Sequence, residues 1–252
     1  MKRIGVVGAT GRTGSKVVEA LATSKTATLA AAIASPTSRQ LGREIGERRV
    51  QVSSDLAKLS GCDAVIEFST PEVSMAVVES CVSLKLPLLI ATTGHTPEQA
   101  KRIEAAAHQI PILVAPNTSL GAALLSIAVE QVRELAGGAF DIEVMEIHHR
   151  MKRDAPSGTA RALVAAAISE GQSPVFGREG LRQQEEIGVV SLRGGDVPGD
   201  HTVYFLGEGE RLELSHKVHD RRVFGAGAVV LVERLIGRSP GLYSVGRLLL
   251  GS

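Results

Sequence analysis

Two adjacent histidines and a lysine lie close together near the middle of the chain. His148 and His149 can titrate near neutral pH, and Lys152 adds a positive charge four residues after the first histidine. Such side chains can move protons and stabilise charge, so the stretch from Glu146 to Ala160 is the candidate catalytic centre. If a strand continues through both histidines, their imidazoles point to opposite faces and need not share a role.

The run from Asp154 to Thr159 has the composition of a helix start. Ser157, or the aspartate that opens the run, can cap the helix. The amides near Gly158 and Thr159 can then bind a carboxylate or a phosphate. Because the cation of Lys152 precedes these amides, the stretch predicts a small anionic substrate.

Two other interpretations of this stretch remain open. A solvated polar turn before a helix would explain the cap but not the two histidines and the lysine. A metal site could be formed by His148 and His149 with His201, His216 or His219. Adjacent histidines rarely bind one metal together, and the chain has no His-x-x-x-His spacing or metal-type Cys pair, so we expect no metal.

Composition limits the classes of function. The chain has 252 residues, a net charge of +1, 44% hydrophobic residues and 3% aromatic residues. Neither nucleic acid nor an anionic membrane is therefore an expected partner. Cys62 and Cys81 have no metal spacing, and no stretch approaches the ~20 apolar residues of a membrane span. We expect a soluble, cytoplasmic protein with one domain and a smaller second one.

A glycine-rich turn follows the first apolar run, Ile4–Val7. Gly8, Gly11 and Gly14 have the spacing Gly-x-x-Gly-x-x-Gly, and an apolar helix pattern begins behind them. Glycines let the backbone approach a pyrophosphate, and the amides of the helix start point towards it. The turn predicts a dinucleotide site, although a tight turn without a ligand would show the same pattern.

The second apolar run, Ala27–Ala34, ends without the acidic residue that commonly binds the ribose 2′-hydroxyl of NAD. Ser35 and Arg39 follow instead, and Arg12 and Arg43 are further candidates for a 2′-phosphate. The sequence therefore favours NADPH as the cofactor, with NADH possible. The alternative is that these are solvated loop residues.

Three later strand candidates lie at 64–68, 86–91 and 111–115. Each of them is also followed by small polar residues. In an open parallel sheet, a ligand lies outside the carboxyl ends of the strands. We therefore expect Gly94, Asn117 and the neighbouring hydroxyls to line the nicotinamide side.

The pattern changes after a helix of small and aliphatic residues at 121–135. A strand, a helix and three further strand candidates follow at 140–148, 157–169, 187–193, 202–206 and 211–217. A helix followed by antiparallel-looking strands is typical of an α+β domain. Two apolar helices, 225–236 and 242–250, then return to cover the first sheet.

These patterns predict two domains. The first is an α/β Rossmann-type dinucleotide-binding domain, residues 1–118 and 222–252. The second is an α+β domain with a mostly antiparallel or mixed sheet, residues 119–221.

The stretch from Glu146 to Ala160 resembles the signature of the dihydrodipicolinate reductase family, Glu-x-His-His-x-x-Lys-x-Asp-Ala-Pro-Ser-Gly-Thr-Ala. The likeness extends to motifs at 8–14, 68–69, 92–94, 115–117, 207–211, 216–217 and 224–228. Members reduce 4-hydroxy-tetrahydrodipicolinate to tetrahydrodipicolinate, with loss of water, in lysine and diaminopimelate biosynthesis. The resemblance implies that reaction here, with a hydride from NAD(P)H, a small dicarboxylate substrate and a homotetramer joined through the sheets of the substrate domains.

The resemblance also implies a role for individual residues. His148 would be the catalytic acid/base and Lys152 the proton donor. The substrate would be bound by His149, Gly158 and Thr159, and the cap candidate Ser157 is a further candidate beside them. The dinucleotide would be bound by Gly8, Ala9, Thr10, Gly11, Arg12, Thr13, Ala91, Thr92, Thr93, Ala115, Pro116, Asn117 and Thr118. Ser35, Arg39 and Phe68 are further cofactor-binding candidates that do not depend on the resemblance.

Two positions differ from the family pattern. Ala34 stands where many members have an acidic residue, so the pattern does not indicate specificity for NADH. Ala91 replaces the first glycine of the family's Gly-Thr-Thr-Gly turn, which is a small change.

Two alternative functions have different requirements. A short-chain-dehydrogenase-like enzyme would need Tyr-x-x-x-Lys, but Tyr204 and Tyr243 are followed by Glu208 and Arg247 at that spacing. A non-catalytic NAD(P)-sensing regulator would need the glycine turn but not the histidines and lysine.

Overall fold

The first strand of the chain ends directly in the glycine-rich turn. In the computed structural model, which describes residues 1–251, β1 (Lys2–Val7) is buried from Ile4 onwards, and α1 (Gly14–Thr23) begins at the last glycine of the turn. Val17 and Leu21 lie on one face of α1, and that face is buried. The predicted strand, turn and helix are all present.

Strands and helices continue to alternate as far as residue 114. The strands are β2 (Ala27–Ile33), β3 (Glu44–Ile45), β4 (Val50–Ser53), β5 (Ala64–Glu67), β6 (Leu88–Ile90) and β7 (Pro111–Val114). The helices are α2 (Pro71–Leu84) and α3 (Pro97–Ala107), with a 3-10 helix at Leu56–Gly61. Both α2 and α3 begin with proline, and the Thr96 side chain caps α3 by accepting a hydrogen bond from the amide of Gln99.

The next part of the chain contains α4 (Leu120–Ala136), β8 (Asp141–His148), α5 (Gly158–Ala167), β9 (Ser173–Phe176), β10 (Glu186–Arg193), β11 (Asp200–Gly207) and β12 (Glu210–Lys217). β9 was not among the strands predicted from the sequence. It is an edge strand whose side chains are mostly exposed, so it has no pattern of alternating burial.

The chain ends with α6 (Arg222–Leu235), β13 (Gly241–Tyr243) and α7 (Val245–Leu250). The single helix predicted over 242–250 is therefore wrong. Residues 241–243 pair with β7 in parallel. The Ser244 side chain then accepts a hydrogen bond from the amide of Arg247, which caps α7 at a later start.

The first sheet has eight strands in the order β13-β7-β6-β5-β1-β2-β4-β3. Every pair is parallel except β3 with β4. The chain moves outward from β1 through β2 to one edge and then returns to the other side of β1 at β5. This reversal is the switch point at which doubly wound sheets bind their ligands. The predicted Rossmann-type arrangement is confirmed.

The second sheet has the order β12-β11-β8-β10-β9 and is mixed. β11 is antiparallel to β8 and β12, whereas β10 is parallel to β8 and β9. The sequence pattern suggested antiparallel strands in this domain, but β8 and β10 are parallel. Since α5 lies between them in the sequence, the chain has the crossover that a parallel pair requires.

The chain divides into two compact units, Met1–Ser119 with the residues from Arg221 onward, and Leu120–Asp220. In the first unit, the central strands β2, β5, β6 and β7 and most of β1 are buried on both faces, as expected for a parallel sheet covered by helices. In the second unit, α4 and α5 pack on one face of the sheet around Leu163, Val203 and Phe205. Across residues 1–251, every helix is too short or too polar to cross a membrane.

Candidate active site

Strand β8 brings Glu146 and His148 to the same side of the second sheet. Because side chains alternate along a strand, both follow Ile142 and Val144 onto the face that α5 covers. Glu146 is fully buried, and His148 is 7% exposed. An acid and a histidine thus occupy positions that continue the core face of this strand.

Both oxygens of the Glu146 carboxylate are paired. Oε2 contacts Nδ1 of His148, while Oε1 accepts hydrogen bonds from Nη2 of Arg193 at 2.7 Å and from the amide of Ser157 at 3.3 Å. Arg193 ends β10, and its Nη2 also donates to the Asp154 carbonyl at 2.6 Å. One buried carboxylate therefore connects the ends of β8 and β10 with the start of α5.

The surroundings determine the charges of this pair. Burial alone would raise the pKa of the Glu146 carboxyl, but the hydrogen bond from Arg193 and the neighbouring His148 bring it below its ordinary value. Burial lowers the pKa of His148, and Glu146 opposes that shift only in part. The charges of Lys152 and Arg193 lower the pKa of His148 further. At neutral pH, the pair is therefore a carboxylate next to a neutral imidazole.

His201 from β11 lies beside this pair. Its ring meets the ring of His148 edge to face, with 5.1 Å between the centroids. Its Nε2 lies 3.1 Å from the hydroxyl of Ser157, and no described residue offers its Nδ1 a hydrogen bond. Burial, with a smaller contribution from His148, lowers the pKa of His201 to about 4. His201 is therefore neutral at neutral pH.

Glu146, His148 and His201 can be compared with a metal site, because one possible ligand atom of each lies within 4.8 Å of the others. Two histidines and a carboxylate bind zinc in several enzymes. Here, however, the carboxylate is already paired with Arg193, whose charge would repel a cation at this place. We interpret the three side chains as a buried group in which Glu146 contacts His148 and the two imidazole rings pack edge to face.

Folding stability should fall as the pH drops through the range in which His201 resists protonation. Its pKa is lowered from 6.5 to about 4 in the folded chain, so the unfolded chain takes up the proton first. The stabilisation by neutral His201 is complete above pH 6.5 and is lost as the pH falls towards 4. It amounts to about 3 kcal/mol in the free energy of unfolding. Urea unfolding at about pH 7 and about pH 4.5 would measure this loss.

The matched control is His201→Gln, because glutamine cannot take up a proton in this range. The variant should lose less stability between the two pH values than the wild type. His148 and His216, whose pKa values are also lowered by burial, contribute in both proteins. An equal loss in the two proteins would contradict the prediction.

Lys152 lies in the turn between β8 and α5. Its Nζ is 2.9 Å from Oδ1 of Asp154, and its side chain is 21% exposed. Its amide donates to the carbonyl of His149 at 3.0 Å, and the amide of His149 donates to the Val197 carbonyl at 2.8 Å. The loop between β10 and β11 therefore holds the turn that carries the lysine.

The start of α5 is open at Gly158. Ser157 caps the helix, since its Oγ accepts a hydrogen bond from the amide of Ala160 at 3.1 Å. The buried hydroxyl of Ser157 is thus already used within the protein, whereas Thr159 is half-buried. No described residue accepts a hydrogen bond from the exposed amide of Gly158, and a side chain there would meet nothing within 4 Å. A carboxylate has room to bind at this helix start.

The glycine-rich turn in the first unit has the form that a dinucleotide needs. Gly8 has φ +78°, and a Cβ there would lie 2.0 Å from the carbonyl of Phe68. A Cβ at Gly14 would lie 2.0 Å from the carbonyl of Gly8. Among the described residues, no carbonyl accepts the amides of Arg12 and Thr13. Because these amides precede α1, the turn fits a pyrophosphate.

The loop after β2 contains the residues predicted to bind a 2′-phosphate. Ser35 is exposed, and its hydroxyl lies 2.9 Å from that of Thr37. Arg39 is exposed and forms no ion pair with any residue between 1 and 251. Its guanidinium is therefore available to a ligand.

The loops after β6 and β7 contain the other predicted dinucleotide residues. Ala91, Thr92, Ala115 and Thr118 are buried, whereas Thr93 and Pro116 are exposed. Oδ1 of Asn117 accepts a hydrogen bond from the amide of Ser119 at 2.9 Å. The hydroxyl of Thr118 donates to the Phe224 carbonyl at 2.7 Å. The roles of these residues in cofactor binding stay predictions.

The sequence did not single out the buried acid Glu67 at the end of β5. Its carboxylate accepts hydrogen bonds from the amide of Ser69 at 2.6 Å, the hydroxyl of Ser74 at 2.8 Å and the hydroxyl of Thr92 at 2.6 Å. It thus joins the loop after β5 to the loop after β6. The available signal was an acid in an otherwise apolar strand.

Arg193 was also not predicted as a site residue, and His201 was named only in the metal-site alternative. Arg193 is 47 residues from Glu146 in the sequence, and His201 is 44 residues from Ser157. The neighbouring strands β10 and β11 bring them to the site. No local spacing could have indicated these contacts.

The chain matches known families along its length. Residues 2–118 match the family model described as dihydrodipicolinate reductase, N-terminus, and residues 121–249 match the corresponding C-terminus. The 4-hydroxy-tetrahydrodipicolinate reductase of Geotalea daltonii is 38% identical over 260 aligned residues, which cover 97% of each chain. The reductase of the same name from an Anaeromyxobacter species is 41% identical and covers 99% of this chain and 98% of its own.

Solved structures share the fold. A dipicolinate-bound dihydrodipicolinate reductase from Paenisporosarcina sp. TG-14 aligns with a TM-score of 0.79 and 23% identity over 99% of each chain. A myo-inositol dehydrogenase from Corynebacterium glutamicum aligns with a TM-score of 0.59 and 11% identity over 96% of this chain and 90% of its own. At these identities, the likeness concerns the fold alone. From the two family models and the sequence relatives, this chain belongs to the dihydrodipicolinate reductase family.

Proposed function

We propose that this chain catalyses the NAD(P)H-dependent reduction of 4-hydroxy-tetrahydrodipicolinate to tetrahydrodipicolinate, with loss of water, in diaminopimelate and lysine biosynthesis. The observation that carries the proposal is the group of Glu146, His148 and Lys152 beside the open start of α5, in a chain of this reductase family. A biosynthetic reductase of this kind draws on the cytoplasmic pool of nicotinamide dinucleotides, which supports a cytoplasmic location.

The substrate carries two carboxylates, for which the second unit offers complementary groups. The open amide of Gly158, with Ser157 and Thr159 beside it at the start of α5, would bind one of them. His149 would bind the other. The solved relative from Paenisporosarcina is described as dipicolinate-bound, and dipicolinate is likewise a ring with two carboxylates.

Lys152 and His148 would handle the proton. A bound nicotinamide dinucleotide supplies the hydride. Lys152 is the proposed proton donor, because its side chain is half-buried and its Nζ lies 2.9 Å from Oδ1 of Asp154. His148 is neutral, and its Nδ1 is held by Glu146, so its Nε2 is the atom that can accept or return a proton.

A coupled assay tests the proposed function. Pyruvate and aspartate semialdehyde are condensed with the preceding synthase, and the absorbance of NADPH is followed after the reductase is added. We expect a loss of absorbance that depends on this chain. If the dinucleotide binds but is not oxidised, the chain is a sensor of NAD(P) rather than a reductase.

We also propose that NADPH is preferred to NADH. Ala34 leaves the end of β2 without an acid, and the exposed Arg39 has a free guanidinium. Arg39→Ala should raise the KM for NADPH about tenfold or more, because a hydrogen-bonded charge pair with the 2′-phosphate is lost. The KM for NADH should change little. Steady-state kinetics with both cofactors would measure the difference.

Arg48→Ala is the matched control for this prediction, because Arg48 is another exposed arginine of the first unit. It should leave both Michaelis constants unchanged. If Arg39→Ala changes the two constants equally, Arg39 does not bind the 2′-phosphate.

The second sheet supports a proposed homotetramer. One of its faces packs against α4 and α5, and the opposite face is left open within the unit. On the open face, Val190 is 49% exposed and Leu192 is 45% exposed, with Met145 and Ile147 next to them on β8. An apolar sheet face of this kind is suited to pairing with another copy of the chain.

A further inference from the structure

We propose that Glu146 is the positioning residue of the active site and that Arg193 fixes its carboxylate. The proposal rests on the reductase function proposed above. Glu146 is fully buried, and both of its oxygens are engaged by neighbouring groups. It therefore acts through these neighbours and not on a substrate.

The first neighbour is His148. A carboxylate can only accept hydrogen bonds, so its contact with Nδ1 requires the proton of the neutral imidazole to be on Nδ1. This leaves Nε2 unprotonated and able to accept a proton. A buried acid that holds a histidine in one tautomer and one orientation has the same role in other enzymes.

The second set of neighbours orients the groups around the substrate. Oε1 accepts the amide of Ser157 at 3.3 Å, which ties Glu146 to the residue that caps α5. Arg193 joins Oε1 to the Asp154 carbonyl, two residues beyond Lys152. The carboxylate of Glu146 thus contacts His148 and the start of α5. Through Arg193, it is also linked to the backbone just beyond Lys152.

A second acid on the same strand forms ion pairs with arginines away from the histidines. Glu143 lies on the opposite face of β8 and pairs with Arg178 at 2.6 Å and with Arg182 at 3.4 Å. It contacts no histidine. Glu143→Gln is therefore a matched control for Glu146→Gln. Each variant removes the charge of one acid on β8 that pairs with an arginine, and Glu143 is partly buried whereas Glu146 is fully buried.

The test compares the two variants in the full-length enzyme. Glu146→Gln should lower kcat by roughly 10²-fold, while the dissociation constant of NADPH stays within about twofold of the wild type. Glu143→Gln should leave kcat near the wild-type value. A similar loss of kcat in both variants would overturn the proposal, because it would indicate a general structural effect.

The pH profile separates positioning from structural support. The groups facing His148 are Glu146, Lys152, Arg193 and His201, and only Glu146 raises its pKa. Removing that charge should move the acid limb of the kcat profile to lower pH. An unchanged limb in Glu146→Gln would overturn the proposal.

Nitrogen NMR of the His148 ring in the wild type needs no variant and no substrate. The proposal requires the neutral ring to carry its proton on Nδ1, and a proton on Nε2 would overturn it. This measurement remains decisive if Glu146→Gln does not fold. It also separates the two proposals, since an inactive wild type with the Nδ1 tautomer would refute the reductase function but not the positioning role.

Discussion

Lys152→Ala and His148→Ala should each lower kcat by about 10²- to 10⁴-fold. This is the range by which positioned acids and bases accelerate proton transfer. Lys152→Ala removes the ammonium next to Asp154 that would give the proton to the substrate. His148→Ala removes the imidazole whose Nδ1 is held by Glu146. Steady-state kinetics with NADPH at saturating substrate would measure both effects.

The dinucleotide should bind to both variants almost as tightly as to the wild type, because its proposed contacts all lie in the first unit. Fluorescence titration with NADPH would test this. Arg153→Ala is the matched control, since Arg153 is an exposed cation next to Lys152 and lies outside the hydrogen-bonded group of Glu146, His148 and Arg193. Its kcat should stay near the wild-type value. Weak NADPH binding in Lys152→Ala or His148→Ala would mean that the catalytic site is wrongly placed.

Leu192→Glu should prevent the proposed homotetramer from forming. If the open face of the second sheet pairs with another copy, the new carboxylate would be buried without a partner. Such burial costs several kcal/mol per site, and it is repeated in every subunit. We expect sedimentation velocity to show a homotetramer for the wild type and smaller species for the variant.

Leu124→Glu is the matched control for this variant. Leu124 is an exposed leucine on α4, outside the open sheet face. A carboxylate there should leave the mass of the assembly unchanged. A wild type that sediments as a single chain, or a Leu192→Glu variant with the wild-type mass, would contradict the proposed interface.

Local patterns were sufficient where one segment contains all the interacting groups. The spacing of Gly8, Gly11 and Gly14 behind an apolar run predicted a strand, a tight turn and a helix. The structure confirms all three. The backbone of this turn leaves no space for a side chain at Gly8 or Gly14, which is why the pattern requires glycine at these positions. The signature from Glu146 to Ala160 likewise predicted the family correctly.

Edge strands could not be predicted from such local patterns. β9 has mostly exposed side chains, and β13 has only three residues, so neither leaves a periodic trace in the sequence. The parallel direction of β10 beside β8 was equally hidden, since it depends on the path that the chain takes through α5. Sheet edges and strand directions are decided by pairing between distant segments.

The sequence by itself determined the chemistry that this protein can offer, namely two histidines, a lysine and a capped helix start within one stretch. Only the tertiary structure decided how the histidine is held. Arg193 reaches Glu146 across 47 residues of sequence. His201 arrives on another strand of the same sheet. The physical reason is that a buried carboxylate needs donors from several directions, and a single segment of extended chain cannot surround it.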